Sequence, residues 1–267
     1  MTSPIPLAAL RRQIQTEQPL IHCITNHISI RDCANGLLAL GARPIMAEHP
    51  AEVAEIVVTA QALMANLGNI SDSRMAAITN AAQAAKDRGI PCVLDAVGVG
   101  CSTLRREFAQ TFLAQTPPAV LKGNASELRA LCGLPHHAKG IDSGEPDNRE
   151  ESIAVAQQTA RRFGTVVLLS GAVDVVTDGV RTCALSGGHP LMAQVTGTGC
   201  LQGAVVGAFL AVTDPFTAAQ AGAALLGLAG EASAADFPTH RSLSRFAAGL
   251  IDGLYALDDA ALAAFAP

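Results

Sequence analysis

The run Val195-Thr-Gly-Thr-Gly-Cys200 leads straight into the apolar stretch from Leu201 to Val212. Small residues at the start of a helix expose backbone N–H groups, and the helix dipole adds positive potential there. The turn at Gly197, Thr198, Gly199 and Cys200 therefore reads as an anion hole suited to phosphate. Its cysteine adds a reactive group. A thiol at a helix N-terminus is expected to have a lowered pKa, and could either take a proton from a substrate hydroxyl or attack as a nucleophile.

Other polar residues close short apolar runs. Asp95 follows Cys92-Val-Leu and precedes the turn Ala-Val-Gly-Val-Gly100, where a carboxylate could hold Mg²⁺ or cap a turn. Lys122-Gly-Asn-Ala-Ser-Glu127 follows Ala-Val-Leu and enters Leu128-Arg-Ala-Leu131. Plain capping accounts for Asn124 and Glu127, but not for Lys122, a cation placed where a nucleotide phosphate could be met. A second carboxylate near Asp95 would complete a magnesium environment for phosphoryl transfer. Asn26, Asn66 and Ser170 with Gly171 end further runs. Gly98 and Gly100 lack the third glycine and the acidic partner of a dinucleotide fingerprint. His22 and His27 lack a third ligand at zinc spacing, so a hydrogen-bonded histidine is the expectation.

These groups need a scaffold that collects them. Short runs at Leu20–Ile24, Arg43–Met46, Ala62–Asn66, Pro91–Asp95, Ala119–Lys122, Thr165–Leu169, Val173–Val176 and Thr182–Leu185 have strand composition. Segments of helical period lie between the earlier ones, at 71–88, 102–114, 125–132 and 152–163. That alternation predicts an α/β fold with a mostly parallel sheet, whose strand carboxyl ends gather ligand-binding groups. Asp178-Gly179 reads as a hairpin placing an antiparallel pair at a sheet edge. From Cys200 onward the chain reads as helical, broken at Asp214-Pro215 and Phe237-Pro238. Residues 134–149, with His136, His137, Gly140, Gly144 and Pro146, read as a solvated loop.

A chain of 267 residues suits one large domain, residues 1–267. Charged residues make up 15% and aromatics 3%, so the core is aliphatic, and a surface poor in charge favours an oligomer. Net charge is −5 with no basic block, which argues against nucleic acid. No leader pattern and no uninterrupted membrane-length run is seen, and the seven cysteines include no CxxC pair. A cytoplasmic chain with reduced thiols is the expectation.

Together, His22-Cys-Ile-Thr-Asn26, Pro44-Ile-Met-Ala47, Leu94-Asp-Ala-Val-Gly98, Lys122-Gly-Asn-Ala-Ser-Glu127 and Gly197-Thr-Gly-Cys200 resemble the hydroxyethylthiazole kinases of the ribokinase-like superfamily. The resemblance runs from about residue 18 to 255. It implies a ribokinase-like fold, ATP as co-substrate, Mg²⁺, phosphorylation of 4-methyl-5-(2-hydroxyethyl)thiazole in thiamine salvage, and a homotrimer with interfacial sites. It further implies that Met46, Gly197 and Asn26 meet the alcohol. Lys122, Ser170 and Asn124 would meet ATP, and Asp95 and Glu127 would organise the metal. Cys200 stands where most sugar kinases of the superfamily carry an aspartate. Lys122 replaces a common arginine and Ser170 a common threonine, each keeping the cation or hydroxyl. Rival readings are a related kinase for hydroxymethylpyrimidine, an ATP-dependent repair hydratase, a hydrolase using Cys200 as acyl nucleophile, and a non-catalytic sensor. Thr25-Asn26, Met46 and Cys200 argue against the first two.

Overall fold

The computed structural model describes residues 5–135, 148–235, 242–263 and 265, together with the backbone of 138–139 and 142–143. The chain runs α1 (Leu7–Glu17), β1 (Leu20–Ile24), α2 (Ile30–Leu40), β2 (Arg43–Ile45), α3 (Val53–Val57), β3 (Ala62–Asn66), α4 (Asp72–Asp87) and β4 (Cys92–Asp95). It continues through α5 (Thr103–Gln115), β5 (Val120–Asn124), α6 (Ala125–Cys132), β6 (Ala138–Lys139), β7 (Asp142–Ser143), α7 (Arg149–Phe163), β8 (Val166–Ser170), β9 (Val173–Thr177) and β10 (Thr182–Ser186). A 3₁₀ turn at Pro190–Gln194 precedes α8 (Thr198–Leu210), α9 (Pro215–Ala235), α10 (Leu243–Ala256) and α11 (Asp259–Ala263).

The main sheet has eight strands in the order β10-β9-β8-β5-β4-β3-β1-β2. From β2 to β8 the pairs are parallel, as expected. The expected β9–β10 hairpin is present, and β9 is also antiparallel to β8, so the edge carries two antiparallel pairs rather than one. Helices cover both faces, and the alternation of side chains along each strand feeds two cores. Met64, Val93, Val120 and Leu168 join the core under α1, α2, α8 and α9, while Leu63, Leu94, Leu121 and Leu169 join the core under α3 to α7. All of α8 from Cys200 to Leu210 is buried, which explains its apolar residues all round.

Strand order reverses at β1, because the chain steps out to β2 and then returns to lay β3 on the other side of β1. Such a switch point opens a crevice beyond the carboxyl ends of the strands. Asn26 lies just past β1, and Asn66 closes β3.

Three local differences from the sequence reading have simple causes. The stretch read as a loop at 134–149 contains the strand pair β6–β7, each strand being too short to show a period. His136, His137, Gly140, Gly144 and Pro146, like the break at Phe237-Pro238, lie outside the described residues. Helix α7 starts at Arg149 rather than Ser152, because the Asn148 side chain accepts from the Glu150 N–H and caps it there. Among the described residues no helix is long and apolar enough to cross a membrane.

Candidate active site

Parallel register sets Asn66, Asp95 and Lys122 side by side across β3, β4 and β5. Each follows an apolar run, so each emerges at the end of its strand near the sheet's carboxyl edge. Lys122 Nζ donates to Asp95 Oδ1 at 3.3 Å, and Asn66 Nδ2 donates to Asp95 Oδ2 at 2.9 Å. Burial by itself disfavours the Lys122 ammonium, but Asp95, Cys200 and Glu127 outweigh it, and its pKa is raised. These neighbours favour the ammonium form. For Asp95 burial pushes the carboxyl up, opposed by Lys122 and Asn66.

Glu127 sits in the first turn of α6, where it forms a capping box with Asn124. Its two oxygens accept from the N–H groups of Gly98 and Asn124, each at 2.8 Å. Burial and the nearby Asp95 raise its pKa to about 7. The buried Glu127 thus feels the charge of Asp95, and Lys122 acts on both carboxyls. Ser170 ends β8 in register with Asn124, and Met46 follows β2 half-buried.

The glycine-rich turn meets this centre from above. Gly197 holds φ +90°, and a Cβ there would stand 2.9 Å from Cβ of Ser29, so both backbone and space demand glycine. Helix α8 begins at the next residue, and the Leu201 N–H donates to the Gly197 carbonyl at 2.8 Å. The amides of Gly199 and Cys200 in the first turn are left without an intrahelical acceptor. The Thr198 amide is partly turned aside, at 3.5 Å from the Val195 carbonyl, so the hole is narrower than expected. A Cβ on Gly199 would stand 3.5 Å from Lys122 Nζ, and one on Gly203 would stand 3.5 Å from Asp95 Oδ2. The first turn of α8, the Lys122 ammonium and the Asp95 carboxyl therefore share one crevice.

Cys200 corrects an expectation. Its pKa is raised, because burial and then Asp95 penalise the thiolate more than Lys122 favours it. Local sequence suggested the opposite, since a helix N-terminus stabilises a thiolate only where solvent or cations also reach it. Asn26 Nδ2 donates to Cys200 Sγ at 3.0 Å. The sulfur's partners are the amides of Asn26 and Asn66 and the Ser29 hydroxyl, and among the described residues no imidazole supplies the base that the acyl-nucleophile reading needs. His22 is buried, and its Nε2 lies 2.9 Å from the Ala47 carbonyl oxygen, a structural bond rather than a metal contact.

Further residues were not foreseen in any role. Asp174, at the start of β9, accepts from the Gly171 N–H at 2.9 Å and from Gln202 Nε2 at 2.7 Å, tying the turn after Ser170 to α8. Arg74 donates to the carbonyls of Asn66 and Gly68, and Arg105 to those of Leu67 and Val97. Arg74 could have been suspected, because it shares the buried face of α4 with Ala77, Ile78 and Ala81. Nothing local marks Asp174.

Comparison with known proteins gives the family. The model of the "Hydroxyethylthiazole kinase family" matches residues 11–260. Hydroxyethylthiazole kinase 2 of Clostridium botulinum is 38% identical over 256 residues, covering 94% of this chain and 95% of that protein. The solved structure of a hydroxyethylthiazole kinase from Pyrococcus horikoshii superposes with a TM-score of 0.87 at 34% identity, covering 98% of this chain and 97% of that one. A ribokinase-like superfamily protein of Enterococcus faecalis, 14% identical, shares the fold with a TM-score of 0.62 over 90% of this chain and 88% of its own. With matches of this length and identity, the chain belongs to the hydroxyethylthiazole kinase family.

Proposed function

We propose that this chain transfers the γ-phosphoryl group of ATP to the hydroxyl of 4-methyl-5-(2-hydroxyethyl)thiazole. The observation that carries the reading is the approach of the first turn of α8 to Lys122, with a Gly199 Cβ position only 3.5 Å from Nζ. Two free amides, a helix dipole and an ammonium converge there, the equipment for a phosphoryl group whose charge grows on its peripheral oxygens.

Sheet order separates the two substrates. Ser170 and Asn124 lie on β8 and β5, to one side of Asp95, while Asn26 and Met46 follow β1 and β2 on the other. With strands about 4.8 Å apart, ATP spans the β5–β8 side and the alcohol the β1–β2 side, meeting under Gly197 to Cys200. The alcohol oxygen attacks the γ-phosphorus as the bond to the β–γ bridging oxygen breaks. ADP leaves with that electron pair, and the hydroxyl proton passes to solvent, or to Cys200 Sγ in those molecules where the sulfur is a thiolate. Because such transition states are loose, positioning and charge do most of the work, and the small thiolate fraction left by a raised pKa suffices.

Asp95 and Glu127 fit Mg²⁺, for a dication would relieve the mutual charge that raises Glu127. Their oxygens already accept hydrogen bonds, and among the described residues no cluster of three ligating side chains exists. The carboxylates would therefore act chiefly on metal-bound water. When bound, the ion would neutralise charge on the transferring phosphate. Exposed Ile28 and Leu38, on and beside α2, support the homotrimeric assembly, since apolar side chains there favour cover by another subunit.

The test is a coupled ADP-release assay over a panel of small alcohols. ADP release dependent on the thiazole alcohol is expected, and turnover with hydroxymethylpyrimidine alone would overturn the substrate assignment.

A further inference from the structure

We propose that Asn66 is a positioning residue for Cys200, acting on the sulfur both directly and through Asn26 to hold it as a hydrogen-bond acceptor. The inference rests on the reading that Cys200 faces the substrate hydroxyl. It goes beyond that reading by naming the group that sets the sulfur's state.

The hydrogen bonds fix the direction of the whole chain. The Asp95 carboxylate offers acceptors, so Asn66 must turn its Nδ2 towards Oδ2, and does so at 2.9 Å. Its carbonyl Oδ1 then faces the other way, accepting from the Gly68 N–H at 2.8 Å and from Asn26 Nδ2 at 3.2 Å. Asn26 is fixed from its own side as well, because its Oδ1 accepts from the N–H groups of Ile28 and Ser29, each at 3.1 Å. Neither amide can flip without setting carbonyl against carbonyl or N–H against N–H. The second Nδ2 proton of Asn26 is consequently directed at Cys200 Sγ, 3.0 Å away. A sulfur that receives a proton there keeps its own S–H free to point elsewhere, and as a thiolate it is held by the same bond.

This relay joins the ends of three parts of the fold, β3, β1 and α8, across the switch point of the sheet. Asn66 and Asn26 are both buried, so water does not compete for their amides. A further contact makes the arrangement rigid. Arg74 donates to the Asn66 carbonyl at 3.1 Å and to the Gly68 carbonyl at 2.8 Å, holding the loop that supplies the Gly68 amide.

Asn66→Ala removes both the donor to Asp95 and the acceptor for Asn26, and Asn66→Ser shortens the side chain. Both are to be compared with the wild-type protein in kcat, in KM for alcohol and ATP, and in the rate of iodoacetamide alkylation at Cys200, read by peptide mass at one pH. Exposed Cys101 serves as the reagent reference, and buried Cys33 reports any opening of the site. In both variants kcat is expected to fall about tenfold, with either KM changed less than about twofold, the loss expected for one charge-assisted hydrogen bond. Alkylation of Cys200 relative to Cys101 should also slow by about tenfold. A merely structural role predicts the reverse, faster labelling of Cys200 and new labelling of Cys33. Unchanged or faster Cys200 labelling in a folded variant overturns the relay whatever happens to kcat, as does failure of both variants to fold, which would make Asn66 architectural. Slower labelling with unaltered kcat upholds the relay and overturns the use of Cys200 in the reaction.

Discussion

At the scale of single residues, Cys200 and Lys122 carry the chemistry, and each has a sharp consequence. Burial and the Asp95 charge push the Cys200 thiol up from its ordinary value, so the thiolate is favoured only on the alkaline side. If the sulfur takes the hydroxyl proton, kcat will climb with pH through that region, and Cys200→Asp will flatten the rise while preserving or raising turnover at neutral pH. A folded but inactive Cys200→Asp would remove the base role. Lys122→Met leaves Asp95 buried without its cation, which should cost about 3–5 kcal/mol in denaturant unfolding as well as most of the activity. Asp95 and Lys122 were legible in the sequence because each follows an apolar run of a strand, and Glu127 because it stands in the first turn of the helix after one. The sign of the Cys200 shift was not, since it depends on burial against Asp95, more than a hundred residues earlier in the chain. The amide relay was equally hidden, because it rests on which end of Asn26 and Asn66 faces which neighbour.

At the scale of elements, the start of α8 decides function, and Gly199 separates function from folding. Its φ is helical and a Cβ would touch only Lys122 Nζ, at 3.5 Å. Gly199→Ala should therefore leave stability unchanged, or raise it by up to about 1 kcal/mol, because alanine is the better helix former. The same methyl group stands where a phosphoryl oxygen must approach the ammonium, so kcat/KM for ATP should fall by at least about tenfold. Thermal melting beside steady-state kinetics checks both directions at once, and a loss of stability with intact kinetics would contradict the placement. Most strands were readable to within a residue or two, since their apolar runs are bounded by polar ends. Short elements such as α3 and the β6–β7 pair were not, for five residues or two cannot display a period.

At the scale of the whole molecule, the fold holds a buried acid in a state it would not choose in water. Glu127 has its folded pKa raised from 4.5 to about 7. Its contribution to stability is therefore full below about 4.5 and lost as pH rises through about 7, a loss on the order of 3 kcal/mol. Denaturation of the metal-free protein should show that decline between those pH values, and Glu127→Gln should reduce it, the remainder coming from Asp95 and Asp174, whose pKa values burial also raises. A parallel sheet under helices was legible from the alternation of patterns. The β9–β10 hairpin was legible from Asp178-Gly179, but the antiparallel setting of β9 against β8 was not, because strand composition does not encode direction. The reversal of strand order at β1 likewise appears only when the chain is folded, and it is this reversal that brings Asn26 beside Asn66 and opens the crevice for the alcohol. The central claim is that the α8 turn and Lys122 transfer a phosphoryl group to the thiazole alcohol. Its most direct test is ADP release from ATP with and without 4-methyl-5-(2-hydroxyethyl)thiazole, using wild-type protein beside Gly199→Val. The account predicts alcohol-dependent ADP release by the wild type, nearly abolished in the folded Gly199→Val protein. ADP release of equal rate in the two proteins, or none from the wild type, would contradict it.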